Sequence, residues 1–357
     1  MFLEIHSPSD QVAEHLRAEI RDGRWRLEFP GTPALAKELG VDRKTITAAI
    51  AILEQEGLLQ SQGPGKPRLI LKPRRRKAPR QHIRFMVYDD GDRQRSHVMD
   101  LIRRVQATGH HIELESLTLS GLGMNLNRIK SHVLKHPADA WILLAASREI
   151  LEWFAAQKIP VMALSGRRRQ VPVASAGPDK VAAMNACVER LVELGHRRIV
   201  LLAREERRQP TIGHVELAFL KALDSHGIEA SPYHLPDWKD TPDDFHACLQ
   251  RLFEHTPPTA LILDEAQFYV AAMQYLAKIG LSAPKDISLV SCDTHPIFTW
   301  CRPTVCHIHW ESEPVVEHIV KWILQLSRGK KVSTAHYTPA QFIESGSIGP
   351  VNYRLDP

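Results

Sequence analysis

Arg43, Lys44, Thr45 and Thr47 crowd one short segment, immediately after Gly40-Val41-Asp42. Two cations and two hydroxyls presented from the start of a helix suit the base edges and phosphates of duplex DNA. The scaffold for such a display is residues 35–59, LAKELGVDRKTITAAIAILEQEGLL. Leu35, Leu39, Val41, Ile46, Ala49, Ile50 and Leu53 recur there at helical spacing and form one apolar set. Gly40 is predicted to close the first helix in a left-handed cap, and Asp42 to cap the second. Two helices about a tight turn make a helix-turn-helix; a plain helical hairpin with a solvated basic turn is the competing reading. Lys66 and Arg68 follow in Gly63-Pro64-Gly65-Lys66-Pro67-Arg68, between Leu58-Leu59 and Leu69-Ile70-Leu71. That pattern predicts a β-hairpin, a wing whose basic tip can enter the minor groove or grip phosphate. Ahead of these elements, Val12, Leu16 and Ile20 share one face of a helix expected over Pro8 to Gly23.

The charge distribution points the same way. The chain of 357 residues carries a formal charge of +5. Through Arg84 there are 16 Lys and Arg against 10 Asp and Glu; the remainder has 30 against 31, so the basic excess sits in the first quarter. Lys72, Arg74, Arg75, Arg76, Lys77, Arg80 and Arg84 are its densest part, and Pro73 and Pro79 keep this run from forming a continuous helix. It reads as an interdomain linker over residues 72–81, lying near phosphate or simply solvated. No apolar run approaches the roughly 20 residues that cross a membrane, and the N-terminus lacks the pattern of an export signal. Five scattered cysteines at 187, 248, 292, 301 and 306 suggest free thiols in a reducing cytoplasm.

Beyond the linker, buried-strand patterns alternate with amphipathic helices. Strands are expected at 83–88, 111–119, 140–144 and 160–164, with helices at 93–108, 126–136 and 149–157. The rhythm restarts with a helix over 180–194, then strands at 198–203, 260–263 and 287–292 around helices at 215–226 and 266–279. Alternation of this kind predicts parallel sheets covered on both faces. Two runs imply two lobes, with ligand held in the cleft beyond the carboxyl ends of their strands.

Two resemblances follow from particular residues. Residues 8–71 resemble the winged helix of the GntR family. The likeness rests on Ile20 with Gly23, Leu35-Ala36, Leu39-Gly40-Val41, Arg43, Thr45, Ala49, Leu53, Glu56-Gly57-Leu58-Leu59 and the glycine pair of the wing. Pro33 and Thr47 stand where that family often has arginines that read guanine, so its usual operator preference does not carry over. Leu191 to Leu202 with Gly195-His196, Pro258 to Leu263, Gly280-Leu281, Pro284, Asp286 to Val290, Asp293, Arg302 to Val305 and Glu344 to Ser347 are similar to the LacI/GalR repressor family. This resemblance implies a type I periplasmic-binding-protein fold with three crossings between lobes, near 195, 307 and 330. It also implies that Asp293 accepts hydrogen bonds from sugar hydroxyls and that Asp179 belongs to the site. If the fold holds, Asp89, Asp90 and Arg167 project toward the same cleft, with Arg208 and Glu265 near family positions that have changed. Trp300 or Trp238 could stack on a sugar ring, although a tryptophan more often serves as core or interface.

Other chemistry fares less well. Cys301, Cys306, His307 and His309 would fall on two faces of an extended segment and cannot converge on one metal. No phosphate loop or nucleophile elbow is present. The expected architecture is α/β. A small α+β winged helix-turn-helix (1–71) and a basic linker (72–81) precede a two-lobed domain with parallel sheets (82–357). The first lobe is expected over 82–195 and 308–330, the second over 196–307 and 331–357. The expected function is a cytoplasmic, ligand-responsive transcriptional repressor rather than an enzyme, without cofactor. Its expected partners are a double-stranded DNA operator, a carbohydrate effector and a second copy of the chain, with no membrane. A solute-binding protein with no transcriptional role is the alternative, as is a regulator whose cleft no longer binds a small molecule.

Overall fold

The computed structural model describes residues 7–25, 27–63, 65–71, 79–330 and 333–352. These fall into two compact units, Met1–Ala78 and Pro79–Pro357, and each is described by itself.

The first unit runs α1 (Pro8–Arg21), β1 (Glu28–Phe29), α2 (Thr32–Leu39), α3 (Arg43–Gln55), β2 (Leu59–Gln60) and β3 (Arg68–Ile70). Ser7 and Asp10 start α1 with a reciprocal capping box. Gly40 ends α2 at φ +65°, and Asp42 caps α3 by accepting from the amides of Lys44 and Thr45. The Lys44 amide, and after it the Thr45 hydroxyl, hold the Asp42 carboxyl below its ordinary range. Leu16, Leu35, Ile46, Ala49, Ile50 and Leu53 meet in a core closed by Phe29 and Leu59. β2 and β3 form the expected antiparallel wing, with Leu59 opposite Ile70. A strand that the sequence pattern did not suggest, β1, pairs with the outer side of β3.

The second unit begins β4 (His82–Met86), α4 (Ser96–Ala107), β5 (His111–Leu114), α5 (Leu126–Lys135), β6 (Ala140–Leu144), α6 (Arg148–Gln157), β7 (Val161–Leu164) and β8 (Ala174–Asp179). It continues α7 (Val181–Glu193), β9 (Ile199–Leu202), α8 (Glu205–Arg208), α9 (His214–Ser225), α10 (Pro242–His255), β10 (Ala260–Leu263), α11 (Ala266–Lys278) and β11 (Ser288–Ser291). β12 (Cys306–Trp310), α12 (Glu313–Leu326) and β13 (Ala335–Ile343) close it. Strands β5-β4-β6-β7-β8 form one parallel sheet and β12-β11-β10-β9 another. Runs such as Ala140–Leu144 and Ala260–Leu263 are apolar throughout because helices cover both faces.

β13 joins the two sheets edge to edge. Its residues 335–339 pair in parallel with β8, and 340–343 pair antiparallel with β12. Pro339, which has no amide hydrogen to donate, is the last residue before the partner changes. The crossings between lobes therefore differ from those expected near 195, 307 and 330. Helix α7 packs its Met184, Cys187 and Leu191 into the core of Ile199 and Leu201, so the first crossing lies near 180. β12 belongs to the second sheet while Val315 and Ile319 of α12 sit in the first lobe's core, which places the second crossing after Trp310. The third is within β13, at 339–340. Helical residues 181–193 show the same amphipathic pattern whichever sheet they cover, so nothing in their spacing could correct the crossing that the family resemblance implied.

Leu53 is fully buried among α1, α3 and the wing. Leu53→Ala should cost the first unit about 3 kcal/mol through reduced transfer energy and the cavity left behind. Amide exchange in the intact chain checks this: α1 and α3 should lose protection while β6 and β10 keep theirs.

Candidate functional site

Two sites emerge, one in each unit. On the first, Arg43, Lys44 and Thr47 are exposed on the opening turns of α3. The Thr47 hydroxyl donates to the Arg43 carbonyl at 2.8 Å, and the Thr45 hydroxyl donates to the capping Asp42 at 3.0 Å. Both hydroxyls are thus held by their own helix, leaving Arg43 and Lys44 as the projecting donors. Lys66 is exposed in the wing turn. Arg68 differs from expectation, because its Nε donates to Glu54 of α3 at 2.6 Å and fastens the wing to the helix. Arg74, Arg75 and Arg76 lie outside the described residues.

The second site is the cleft between the lobes of Pro79–Pro357, a cavity of about 290 Å³. That is near the lower end of small-molecule sites, roughly 300 Å³. Its walls come from the carboxyl ends of β6, β7, β9 and β11, as open parallel sheets require. Arg95 occupies its centre. The helix expected from Arg93 starts only at Ser96, since residues 91–94 make a 3-10 turn and Arg95 is extended at the N-cap. From there its guanidinium reaches across the cleft. It binds Asp92 of its own lobe at 2.6 Å, and Asp293 at 2.6 Å and Glu265 at 3.2 Å on the other. Burial alone would ease its proton off, but Glu265, Asp293 and Asp92 outweigh that and raise its pKa further.

The partners are fixed in turn. Burial opposes the charge on Asp293, yet Lys180, at 3.7 Å, and Arg95 hold its carboxyl well below the usual range. Lys180 also donates to the Cys292 carbonyl at 2.6 Å. Arg204 pairs with Glu265 at 2.8 Å and Asp264 at 3.2 Å while lying over the Tyr88 ring, 4.5 Å from its centroid. Tyr88 donates to Asp240 of the opposite lobe at 2.8 Å. Arg207 reaches Asp264 at 2.8 Å.

Of the residues expected in the cleft, Asp293, Glu265, Asp179 and Arg167 line it. Asp179 is paired with Arg169 at 2.9 Å. The others do not. Asp89 turns back to the amide of Asp92, and Asp90 faces solvent against Arg93. Arg208 points into the protein, bonding the Ala203 carbonyl and Asp237, and its neighbour Arg207 takes the cleft position. Trp300 is 85% exposed outside the cleft, and Trp238 is buried against Phe245 and Phe268. Arg95, Asp92, Lys180, Arg168 and Arg204 were missed. Only Arg168 carried a sequence signal, as the middle of the basic run in Ser165-Gly166-Arg167-Arg168-Arg169 just beyond the predicted strand 160–164. Among the described residues, metal-capable groups converge not at Cys306 and His307 but at His82, His111 and Glu113. There Glu113 also lies 3.4 Å from Arg84, within an ion-pair network on the sheet edge.

Comparison with known proteins accords with this arrangement. Residues 8–65 match the model of bacterial regulatory proteins of the gntR family, and 188–348 match that of the periplasmic binding protein-like domain. The chain joins a GntR-type head to a periplasmic-binding-protein-like body. It is 25% identical over 183 residues to the HTH-type transcriptional regulator MalR of Streptomyces coelicolor, covering 50% of this chain and 53% of that one. It is 28% identical over 158 residues to the lactose operon repressor of Escherichia coli, covering 44% and 43%. The chain thus spans about half the length of the curated relatives it matches. Among solved structures, a LacI family regulator from Enterococcus faecium with bound ribose superposes with a TM-score of 0.61 at 17% identity, covering 76% of this chain and 100% of that one. A CelR–cellobiose complex gives 0.62 at 17% identity, covering 89% and 100%. At that identity the likeness establishes the fold of the body. No helix among the described residues is long and apolar enough to cross a membrane.

Two outcomes test the cleft electrostatics. Arg95→Ala leaves Asp293 and Glu265 short of a cation, so the chain should lose about 2 kcal/mol, a partly exposed share of the cost of breaking a buried pair. Solution scattering should show a larger radius of gyration as the lobes part. Separately, burial pushes the Asp92 carboxyl up to about 6, against the pull of Arg95. Its neutral form therefore stabilises the fold fully below pH 3.8, and that contribution is lost as pH rises through 6. His97, pushed down to about 4 by burial and Arg95, runs oppositely but is common to both proteins. Urea unfolding should show Asp92→Asn gaining on the parent protein between about pH 4 and pH 6.

Proposed function

We propose that the chain is a transcriptional regulator, a cytoplasmic repressor that binds its operator as a homodimer and releases it when a small molecule enters the cleft. The observation that carries this reading is the Arg95 bridge. One guanidinium of the first lobe holds two carboxylates of the second, so any ligand that competes for Asp293 or Glu265 must alter how the lobes meet. A ligand shifts such an equilibrium only through unequal affinity for its two states, and competition with an interlobe ion pair supplies that inequality. The exposed Arg43 and Lys44 on a capped helix, with Lys66 in the wing, support duplex recognition. The ribose and cellobiose bound to proteins of the same fold support a carbohydrate effector.

A second reading is favoured by the same bridge. Arg95 already occupies the carboxylates that a sugar would use, so the body could serve as a dimerising scaffold with a self-filled cleft.

Selection of bound duplexes from a random library, followed by gel-shift titration of the intact protein, tests both. Arg43→Ala with Lys44→Ala should weaken operator binding by about tenfold or more. The salt slope should fall by roughly 0.9 for each phosphate that is no longer neutralised. Absence of duplex affinity even in dilute salt would refute the regulator. Constant operator affinity across a broad sugar panel would favour the self-filled cleft.

A further inference from the structure

The cations of the cleft are not all matched. Arg95, Lys180, Arg204, Arg207 and Arg169 each lie within 4.0 Å of a carboxylate. Arg167 and Arg168, adjacent in the loop after β7, have no such partner among the described residues. Only 7% of the Arg168 surface is exposed. Its Nη2 donates to the Pro178 carbonyl at 2.9 Å, its guanidinium carbon lies 5.1 Å from the Tyr337 ring centroid, and its Nε has no hydrogen-bond partner. Arg167 donates through Nε to the Glu206 carbonyl at 2.8 Å and through Nη1 to Thr211 at 3.2 Å, while its buried Nη2 has no partner.

Two neighbouring guanidinium groups, each with an orphaned buried nitrogen and no carboxylate within 4.0 Å among the described residues, are costly to hold out of water. The same burial eases the Arg168 proton off, to about 10. The backbone is shaped to keep them there. Ser165 and Ala145 sit at φ +58° and +60°, a strained region for residues with a side chain. Gly166 packs so that a Cβ would lie 2.7 Å from the Ala145 backbone. A Cβ on Gly177 would come 3.2 Å from the Arg168 guanidinium. Such strain collects at ligand clamps.

We propose that the effector is a sugar bearing an oxyanion, a phosphate ester or a carboxylate, whose charged group is seated on Arg167 and Arg168. The forked donors of two arginines match the oxygens of either anion, and each would satisfy a nitrogen now unpaired. Glu206 on the facing wall has an unpartnered buried Oε2, an acceptor for a hydroxyl of the polyol body. This rests on the effector reading above and narrows it to a charged ligand class.

The experiment uses the full chain on its selected operator. A series of hexoses and pentoses is offered in neutral form, as phosphate esters and as sugar acids, with inorganic phosphate as the bare anion. Thermal midpoint and operator affinity are both recorded. The charged forms should raise the midpoint and shift operator affinity, the phosphate and acid arms separating the two anions. Arg167→Gln and Arg168→Gln should each weaken that effect by about tenfold or more, and Arg168→Lys should keep part of it. Without ligand, Arg168→Gln should melt no lower than the parent, because it removes an uncompensated charge. Binding by neutral sugars alone, or charged-ligand binding unchanged in both glutamine variants, overturns the anion seat and leaves the effector reading standing. If no member of any series moves either readout, both fall.

Discussion

The body of this protein depends on one ion cluster, in which Arg95 of the first lobe is shared by Asp293 and Glu265 of the second. The lobes are also joined by chain crossings near 180, after Trp310 and within β13, together with the Tyr88–Asp240 and Arg167–Glu206 hydrogen bonds. Each lobe has its own apolar core, so the hydrophobic effect holds each lobe together and says little about the angle between them. That angle is left to the shared strand β13 and to the ion pairs and hydrogen bonds across the cleft. Desolvated ion pairs suit a switch, because their formation and loss differ little in net free energy while their geometry is exacting.

The cluster also explains why the cleft is so densely charged. Arg204, Arg207 and Lys180 do not merely line a cavity; they place positive charge around Asp293, Glu265 and the neighbouring Asp264 so that none of the three is buried alone. Arg167 and Arg168 stand outside that balance. In the head the acids do the reverse. There Asp42, Glu54 and Glu56 are engaged in the caps and pairs that set α3 and the wing, which leaves Arg43, Lys44 and Lys66 turned outward.

Much of the fold was legible in local sequence. Gly40 and Asp42 announce the turn between α2 and α3, and apolar runs such as 140–144 and 260–263 announce strands buried on both faces. β8 was not legible, because Ala174-Ser175-Ala176-Gly177-Pro178-Asp179 has the small residues of a loop and becomes a strand only between β7 and β13. β13 was hidden by Pro339. Among site residues, Asp293 and Glu265 were reached through the family resemblance, whereas Arg95 fell inside the helix expected over 93–108.

Sequence alone determined the parts: a basic, capped helix-turn-helix with a wing, and two runs of alternating strand and helix. Periodicity and capping act over a few residues, so they survive in the linear text. Tertiary structure alone decided the crossings, the exclusion of Arg208 and Trp300 from the cleft, and the meeting of Arg95 with Asp293 across 198 positions. Those outcomes depend on which side chain is left without water and without a partner once the chain is folded, and only the packed molecule settles that.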